Sequence, residues 1–139
     1  MTLERVDTLL RDLQSSWQAG DLARIASFYH PDVVLLPPDM GEPITGRDAV
    51  VDSYRQFLDA ARLDRFVITD LTSWTFDGLT SETAMAHLNF QITYQLEDER
   101  FIDTGLEVYT LVAGTEGPLI VWRSQTVLDS RLEAKSEPG

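Results

Sequence analysis

The C-terminal half of the sequence carries polar side chains at alternate positions, the spacing that places residues on one face of a β-strand. They are His87, Asn89 and Gln91, then Glu107 and Tyr109, then Arg123 and Gln125. A histidine can carry a proton near neutral pH, and a carboxyl group can donate or accept one. These residue types therefore indicate either general acid and base chemistry or polar contacts to a bound molecule.

Glu107 and Arg123 are a candidate charged pair. If Val112 lies opposite Pro118 across the link "AGTEG" (113–117), Arg123 lies directly opposite Glu107. An opposite charge lowers the pKa of a carboxyl group whereas burial raises it, so the two effects compete. Two interpretations stay open: an ion pair that only satisfies two charges, or a pair that contacts a ligand, with Glu107 as an acid or an orienting group.

The side on which His87 lies depends on one residue in the turn "LEDE" (96–99). A three-residue turn places Asn89 opposite Glu107, and the polar set on this strand then faces the same side as Glu107. A two-residue turn places Leu88 opposite Glu107 and directs the polar set to the other side. His87 is a candidate proton shuttle in the first register and a surface residue in the second.

Three helices precede the strands that carry these residues. Apolar residues at steps of three and four from Leu3 to Trp17 predict a first helix, which Gly20 stops. Asp21 can cap a second helix, closed by Pro31, and a third begins at about Arg47. The N-terminal part of the chain is therefore expected to be mostly helical.

The rest of the chain predicts a sheet. "VVLL" (33–36) is a short buried strand that two prolines end, and from Phe66 onward the apolar period changes to two. Four long strands follow, in residues 65–76, 82–95, 100–112 and 118–128. Their short links predict an antiparallel meander. Helices followed by such a sheet form an α+β fold, expected as one domain over residues 1–139, with its core at about 3–128 and a frayed tail at 133–139.

The composition argues against several partners. A net charge of −12 repels phosphate backbones and anionic lipid surfaces, so we expect no nucleic acid and no membrane as partners. No cysteine is present for disulfides or thiolate sites, and His30 and His87 lack metal-ligand spacing, so no metal is predicted. Without a glycine-rich phosphate loop, no cofactor is predicted either. No stretch has the pattern of a signal peptide or a membrane span, and we expect a cytoplasmic protein.

Two segments carry a family resemblance: "WQAGDLARIASFYHPDVVLLPPDMGEPITGRDAV" (17–50) and "EVYTLVAGTEGPLIVWRSQT" (107–126). With the order of elements, they resemble the SnoaL-like branch of the nuclear-transport-factor-two-like superfamily over about residues 3–128. The resemblance implies a cone-shaped α+β barrel, in which a strongly curved, mainly antiparallel sheet wraps three N-terminal helices. It also implies a pocket at the wide end and a homodimer packed through the outer sheet faces. The superfamily includes isomerases, cyclases, dehydratases, ligand-binding proteins and pure oligomerisation modules, so the fold does not decide the function.

The resemblance also assigns possible roles to single positions. Steroid isomerases of this superfamily use a carboxylate base after the first strand, a tyrosine on the first helix and an acid on the sheet. These positions fall on Pro37, Leu13 and Glu107, so only the third keeps its type. Asp39 could replace the missing base, or it is a solvated turn residue.

The resemblance favours the register in which the polar set on the third strand faces the pocket. The predicted catalytic residues are Glu107 and His87, and the predicted ligand-binding residues are Asn89, Gln91, Tyr109, Arg123, Gln125, Trp17, Leu36 and Met40. The first functional hypothesis is a pocket protein that binds a small, mostly apolar metabolite without a complete isomerase catalytic set. The alternative is an acid and base enzyme of isomerase or polyketide-cyclase type that uses Glu107 and His87.

Overall fold

Three helices and a six-stranded mixed sheet form the structure, a computed structural model that describes residues 1–39, 41–77 and 82–133. The helices are α1 (Leu3–Ala19), α2 (Leu22–Ser27) and α3 (Arg47–Ala60). The strands are β1 (Tyr29–Leu36), β2 (Ile44–Thr45), β3 (Ala61–Asp77), β4 (Glu82–Leu96), β5 (Glu99–Ala113) and β6 (Pro118–Leu132). The helices pack on one face of the sheet, and this arrangement confirms the predicted α+β fold.

Local sequence explains where α1 begins and ends and where α2 begins. The Thr2 hydroxyl accepts a hydrogen bond from the Arg5 N–H at 3.2 Å, as expected of an N-cap residue. Gly20 ends α1 in the left-handed conformation, which glycine adopts without a steric penalty. The Asp21 carboxylate accepts from the Arg24 N–H at 3.1 Å and starts α2. The predicted stop at Gly20 and the predicted cap at Asp21 are therefore confirmed, whereas the Thr2 cap was not predicted.

The end of α2 differs from the prediction. The helix stops at Ser27, and Tyr29 already belongs to β1, which was predicted to begin only at residue 33. Pairing with β6 takes the chain out of the helix, since Tyr29 lies opposite Ile120 and the Ile120 N–H donates to the Phe28 carbonyl at 2.9 Å. Pro31 lies within the strand, at an irregular stretch of the pairing, where its missing N–H breaks no regular ladder.

The sheet has the strand order β2-β1-β6-β5-β4-β3. β3 to β6 form the predicted antiparallel meander, whereas β1 pairs with β6 in parallel and with the two-residue β2 in antiparallel orientation. The parallel pair and β2 were not predicted, because both depend on contacts between distant parts of the sequence. Glu133 was predicted to start a frayed tail, but its N–H donates to the Arg100 carbonyl at 2.8 Å. Residues 134–139 lie outside the described part.

The register between β4 and β5 is the two-residue alternative, and the favoured three-residue turn was wrong. Leu96 lies opposite Glu99, and Leu88 lies opposite Glu107. Glu97 takes a positive φ, as a tight two-residue hairpin requires. This register buries the apolar set Leu88, Phe90 and Ile92. Each such side chain contributes about 1.5–3 kcal/mol on burial, whereas the other register would bury polar groups instead.

The register between β5 and β6 also differs from the prediction, although the predicted face is correct. The turn pairs Ala113 with Pro118, one residue away from the predicted pairing, and a bulge after Thr110 adds a second shift. Arg123 consequently lies opposite Tyr109, and Gln125 lies opposite Glu107. Two one-residue shifts restore the side-chain parity, so Arg123 and Glu107 still share a face.

Gly105 allows two strands and an aromatic ring to approach closely on the inner face. A Cβ atom at this position would lie 2.7 Å from the Phe90 ring and would also contact the Thr126 carbonyl oxygen. The Phe90 ring therefore lies directly across β5, and it stacks on Phe66 with ring centroids 5.4 Å apart. This packing closes the core on one side of the cavity described below.

Candidate functional site

A cavity of about 270 Å³ lies between α1, α3, the end of β1 and the inner face of β4, β5 and β6. Its aromatic walls are Trp17, Tyr54, Phe57, Phe90 and Tyr94. Its other apolar walls are Leu35, Pro37, Pro38, Ile44, Ile92 and Val127. Its polar lining is Ser53, Asp103, Arg123 and Gln125. The volume is near the lower end of small-molecule sites, roughly 300–1,000 Å³, and the mainly apolar lining is typical of them.

A buried ion pair lies at the inner end of the cavity. Arg123 and Glu107 are 3% and 0% exposed, and the guanidinium donates to Oε2 of Glu107. Gln125 Nε2 donates to the same oxygen at 3.0 Å. The Tyr109 hydroxyl and Gln14 Nε2 donate to Oε1, at 2.8 and 3.4 Å. A carboxylate has about four acceptor positions, so these four donors leave Glu107 without a free one.

Two more tyrosines complete the surroundings of Arg123. Its guanidinium donates to the hydroxyls of Tyr29, at 2.9 Å, and Tyr54, and these two oxygens lie 2.6 Å apart. The guanidinium carbon also lies 5.6 Å from the ring centroid of Tyr54 and 5.3 Å from that of Tyr109. We call this set the ion-pair network: Gln14, Tyr29, Tyr54, Glu107, Tyr109, Arg123 and Gln125.

Burial determines the protonation states in the ion-pair network. Desolvation raises the pKa of the Tyr29, Tyr54 and Tyr109 hydroxyls, and the nearby Arg123 charge only partly opposes it. Burial is the largest single effect on Arg123 and lowers its pKa, but the adjacent Glu107 carboxylate and the three tyrosines together more than offset burial and hold that pKa well above its usual range. At neutral pH Arg123 is therefore charged and the three phenols are neutral.

Two buried N–H groups on cavity-lining residues have no acceptor in the described part of the chain. They are the indole N–H of Trp17 and the Nε–H of Arg123. An unpaired buried donor costs about 1–3 kcal/mol. Both donors therefore remain unsatisfied within the residues beside the cavity.

The predicted residues divide between the cavity and other places. Trp17, Arg123 and Gln125 border the cavity, and Glu107 and Tyr109 lie behind it in the ion-pair network. That any of them binds a ligand stays a prediction. Glu107 has the arrangement of an ion pair that satisfies two charges, because all of its acceptor positions are in use.

The polar set on β4 is not at the cavity, and its predicted position was wrong. His87 and Asn89 are exposed and Gln91 is half-buried, on the face opposite to Leu88 and Phe90. The register through the two-residue turn is the physical cause. Leu36 also alternates away from the cavity, and its neighbour Leu35 takes the predicted place. Met40 lies outside the described residues.

Sequence reasoning missed the carboxylate that borders the cavity. Asp103 accepts hydrogen bonds from the Tyr94 hydroxyl at 3.0 Å and from the Ser130 hydroxyl at 2.5 Å. Desolvation and then the adjacent Asp103 raise the pKa of Tyr94 to about 12. A signal was present, since Asp103 precedes Glu107 by four residues and alternation places both on one face. Tyr54 and Tyr29 were not predicted as site residues either, although both belong to the ion-pair network.

Neither a metal site nor a membrane helix occurs in the part of the chain that the structure describes. No group of three or more His, Asp or Glu side chains there could hold a metal ion. No helix among these residues is long and apolar enough to cross a bilayer.

The family of the chain follows from a comparison of its sequence with family models. A model described as a SnoaL-like domain matches residues 10–117, more than half of the chain. The chain belongs to the SnoaL-like family. A search among curated proteins found no match.

Solved structures similar to this SnoaL-like chain share its fold at low sequence identity. One from Exiguobacterium sibiricum, named after the association domain of calcium/calmodulin-dependent kinase II, is 14% identical with a TM-score of 0.75, covering 93% of this chain and 96% of that chain. An NTF2-like protein from Cytophaga hutchinsonii is 16% identical with a TM-score of 0.74, covering 92% and 100%. A ketosteroid isomerase-like protein from Erwinia carotovora is 12% identical with a TM-score of 0.72, covering 91% and 96%. These likenesses establish the fold alone.

The loop after β1 of this SnoaL-like chain forms part of the cavity wall. Pro37 and Pro38 border the cavity, whereas Asp39 is exposed and its carboxylate accepts a hydrogen bond from the Gly41 N–H at 2.9 Å. Asp39 therefore has the geometry of a turn residue that stabilises its own loop. The loop presents two prolines to the cavity where the resemblance implied a base.

Proposed function

We propose that the chain binds a small, mostly apolar metabolite in the cavity without converting it by acid and base catalysis. One observation carries this proposal: an apolar cavity lies directly above a polar network whose hydrogen-bonding groups are almost all satisfied from within. Such a site offers surface and a few fixed donors, but Glu107 has no acceptor position left for a substrate proton.

The positions of Glu107 and His87 do not suit the alternative, an enzyme of isomerase or cyclase type that uses both residues. A general acid or base must come within hydrogen-bonding distance of the reacting atom. His87 is exposed on the outer face, and Glu107 is buried beneath Arg123 and Gln125. These two residues do not meet at one cavity.

The proposal is tested by native mass spectrometry of the purified protein with a matched pair of variants. Val127 borders the cavity, whereas its neighbour Leu128 is 69% exposed. We expect a reproducible extra mass on the wild type and on Leu128→Trp. The Val127→Trp variant should lose it, because the indole fills the cavity. If neither the wild type nor the control retains a mass or binds neutral aromatic fragments saturably, the proposal is wrong.

We also propose a homodimer packed through the outer face of the sheet. Leu106, Val108 and Trp122 are only half-buried on that face, which no helix covers among the described residues. The name of the similar structure from Exiguobacterium sibiricum also refers to association. Light scattering should give twice the chain mass for the wild type and for Thr115→Arg in an exposed loop, and the single-chain mass for Val108→Arg. A wild-type monomer would refute the proposal.

A further inference from the structure

The cavity carries one charge that no residue in the described ranges neutralises. Arg123 and Glu107 cancel each other within the ion-pair network. Asp103 is the other charged residue that borders the cavity, and it forms no ion pair with any residue in the described ranges. Its partners, the Tyr94 and Ser130 hydroxyls, are neutral. The described cavity is therefore an apolar space with a net negative charge at one end.

The Asp103 carboxylate has capacity left for a ligand. Each of its oxygens accepts one hydrogen bond, and a carboxylate has about four acceptor positions. The residue is half-buried and borders the cavity, so a ligand there can reach its carboxylate. This distinguishes Asp103 from Glu107, whose four positions are all occupied.

The walls of the cavity suit a positive charge as well. Five aromatic side chains border it: Trp17, Tyr54, Phe57, Phe90 and Tyr94. The faces of aromatic rings attract cations, and this attraction is strongest where water is excluded. Tyr94 combines both features, because its ring packs 5.7 Å from that of Phe57 and its hydroxyl donates to Asp103. Asp103 and the rings of Tyr94 and Phe57 thus lie at the same end of the cavity, where one face of the Tyr94 ring stacks on Phe101 with centroids 5.5 Å apart.

The polar groups at the two ends of the cavity lie far apart along β5. Asp103 and Glu107 are four residues apart on this one strand. A strand advances by about 3.3 Å per residue, so the two positions are separated by roughly 13 Å. A ligand group held at Asp103 therefore leaves the space above Arg123 free for an apolar body. The two ends also differ in chemistry, since Asp103 forms no ion pair with a described residue whereas Arg123 is paired with Glu107.

We propose that the ligand of this cavity is a small lipophilic amine, bound in its protonated form. Its ammonium group contacts the Asp103 carboxylate and the ring of Tyr94, while its apolar part lies against Trp17 and Phe90. This inference rests on the proposed function and specifies its ligand class. Carboxylic acids are disfavoured, because they would meet the Asp103 charge within a chain of net charge −12.

A calorimetric or NMR titration with three probes of similar size tests the inference at neutral pH. The probes are phenethylamine, phenethyl alcohol and phenylacetate, which are cationic, neutral and anionic. We expect the wild type to bind the amine about tenfold more tightly than the alcohol, and phenylacetate least. In Asp103→Asn the amine should no longer bind more tightly than the alcohol. Asp129→Asn, which changes an exposed carboxylate on the adjacent strand, should keep the wild-type ranking.

Each other result overturns the inference in a recognisable way. If the alcohol binds as well as the amine, the proposed function stands and the ligand class is wrong. If Asp103→Asn still binds the amine more tightly than the alcohol, this preference does not come from the Asp103 carboxylate and the assigned contact is wrong. If none of the probes binds, the cavity does not admit such an amine, and the retained-mass experiment then decides the proposed function separately. The wild-type ranking needs no variant, so it remains decisive even if Asp103→Asn fails to fold.

Discussion

Arg123 and Glu107 form an ion pair that is almost completely removed from water, and the pair lies between the cavity and the core. Removing two charges from water is costly, and their attraction offsets this cost only when other donors and acceptors complete the site. Here Gln125, Tyr109 and Gln14 donate the remaining hydrogen bonds to the Glu107 carboxylate. The pair therefore holds the inner end of the cavity in one arrangement.

Breaking this pair should destabilise the fold strongly. Glu107→Gln leaves a buried guanidinium without its counter-charge, and we expect the free energy of unfolding to fall by about 3–5 kcal/mol in a urea titration. Combining it with Arg123→Met should cost about 1–3 kcal/mol less than the sum of the single changes, because the orphaned charge is gone.

The matched control for this prediction is Glu99→Gln, an exposed carboxylate on the same strand. It should change the free energy of unfolding by less than about 0.5 kcal/mol. If Glu107→Gln lowers the free energy of unfolding as little as Glu99→Gln does, Arg123 does not require Glu107 as its counter-charge.

The register of β4 predicts different results for two neighbouring residues. Leu88→Ala removes a buried side chain and should cost about 2–5 kcal/mol of unfolding free energy. His87→Ala changes an exposed side chain and should cost less than about 1 kcal/mol. Binding of phenethyl alcohol should be the same in His87→Ala as in the wild type. If a folded His87→Ala variant loses binding, His87 acts at the cavity and the outward register is wrong.

The sequence predicted the elements well because each depends on local signals. The period of apolar residues changes from helical steps to alternation, and caps such as Asp21 act over three residues. The parallel pairing of β1 with β6 has no local signal, which explains why the strand character of Tyr29 was missed.

The site was harder to predict because a shift of one residue in strand register moves every side chain of the strand to the other face of the sheet. A one-residue difference in the turn at residues 96–99 moved His87 and Asn89 away from the cavity. Two shifts on the next hairpin cancelled, so Arg123 stayed on the predicted face. Asp103 could have been found from Glu107, which lies four residues later on the same strand. Residues an even number of positions apart share a face of the sheet, and this holds whichever residues they pair with on the neighbouring strand.

All four tyrosines of the chain are expected to resist ionisation while the protein is folded. Burial raises the pKa of Tyr29, Tyr54 and Tyr109, and the pKa of Tyr94 rises to about 12 from an ordinary value near 10. The folded state therefore keeps protons that the unfolded state releases. The stability that this difference contributes is complete below the ordinary pKa and is lost as pH rises through the folded pKa.

An alkaline titration that follows tyrosinate absorbance and circular dichroism together checks this expectation. The first tyrosinate should form only near the raised pKa of Tyr94, and Tyr94→Phe should remove that first step. The other three should ionise only as the dichroism of the folded state disappears, because their hydroxyls lie inside the ion-pair network. Ionisation of three or more tyrosines near pH 10 with unchanged dichroism would show that the network is open to water.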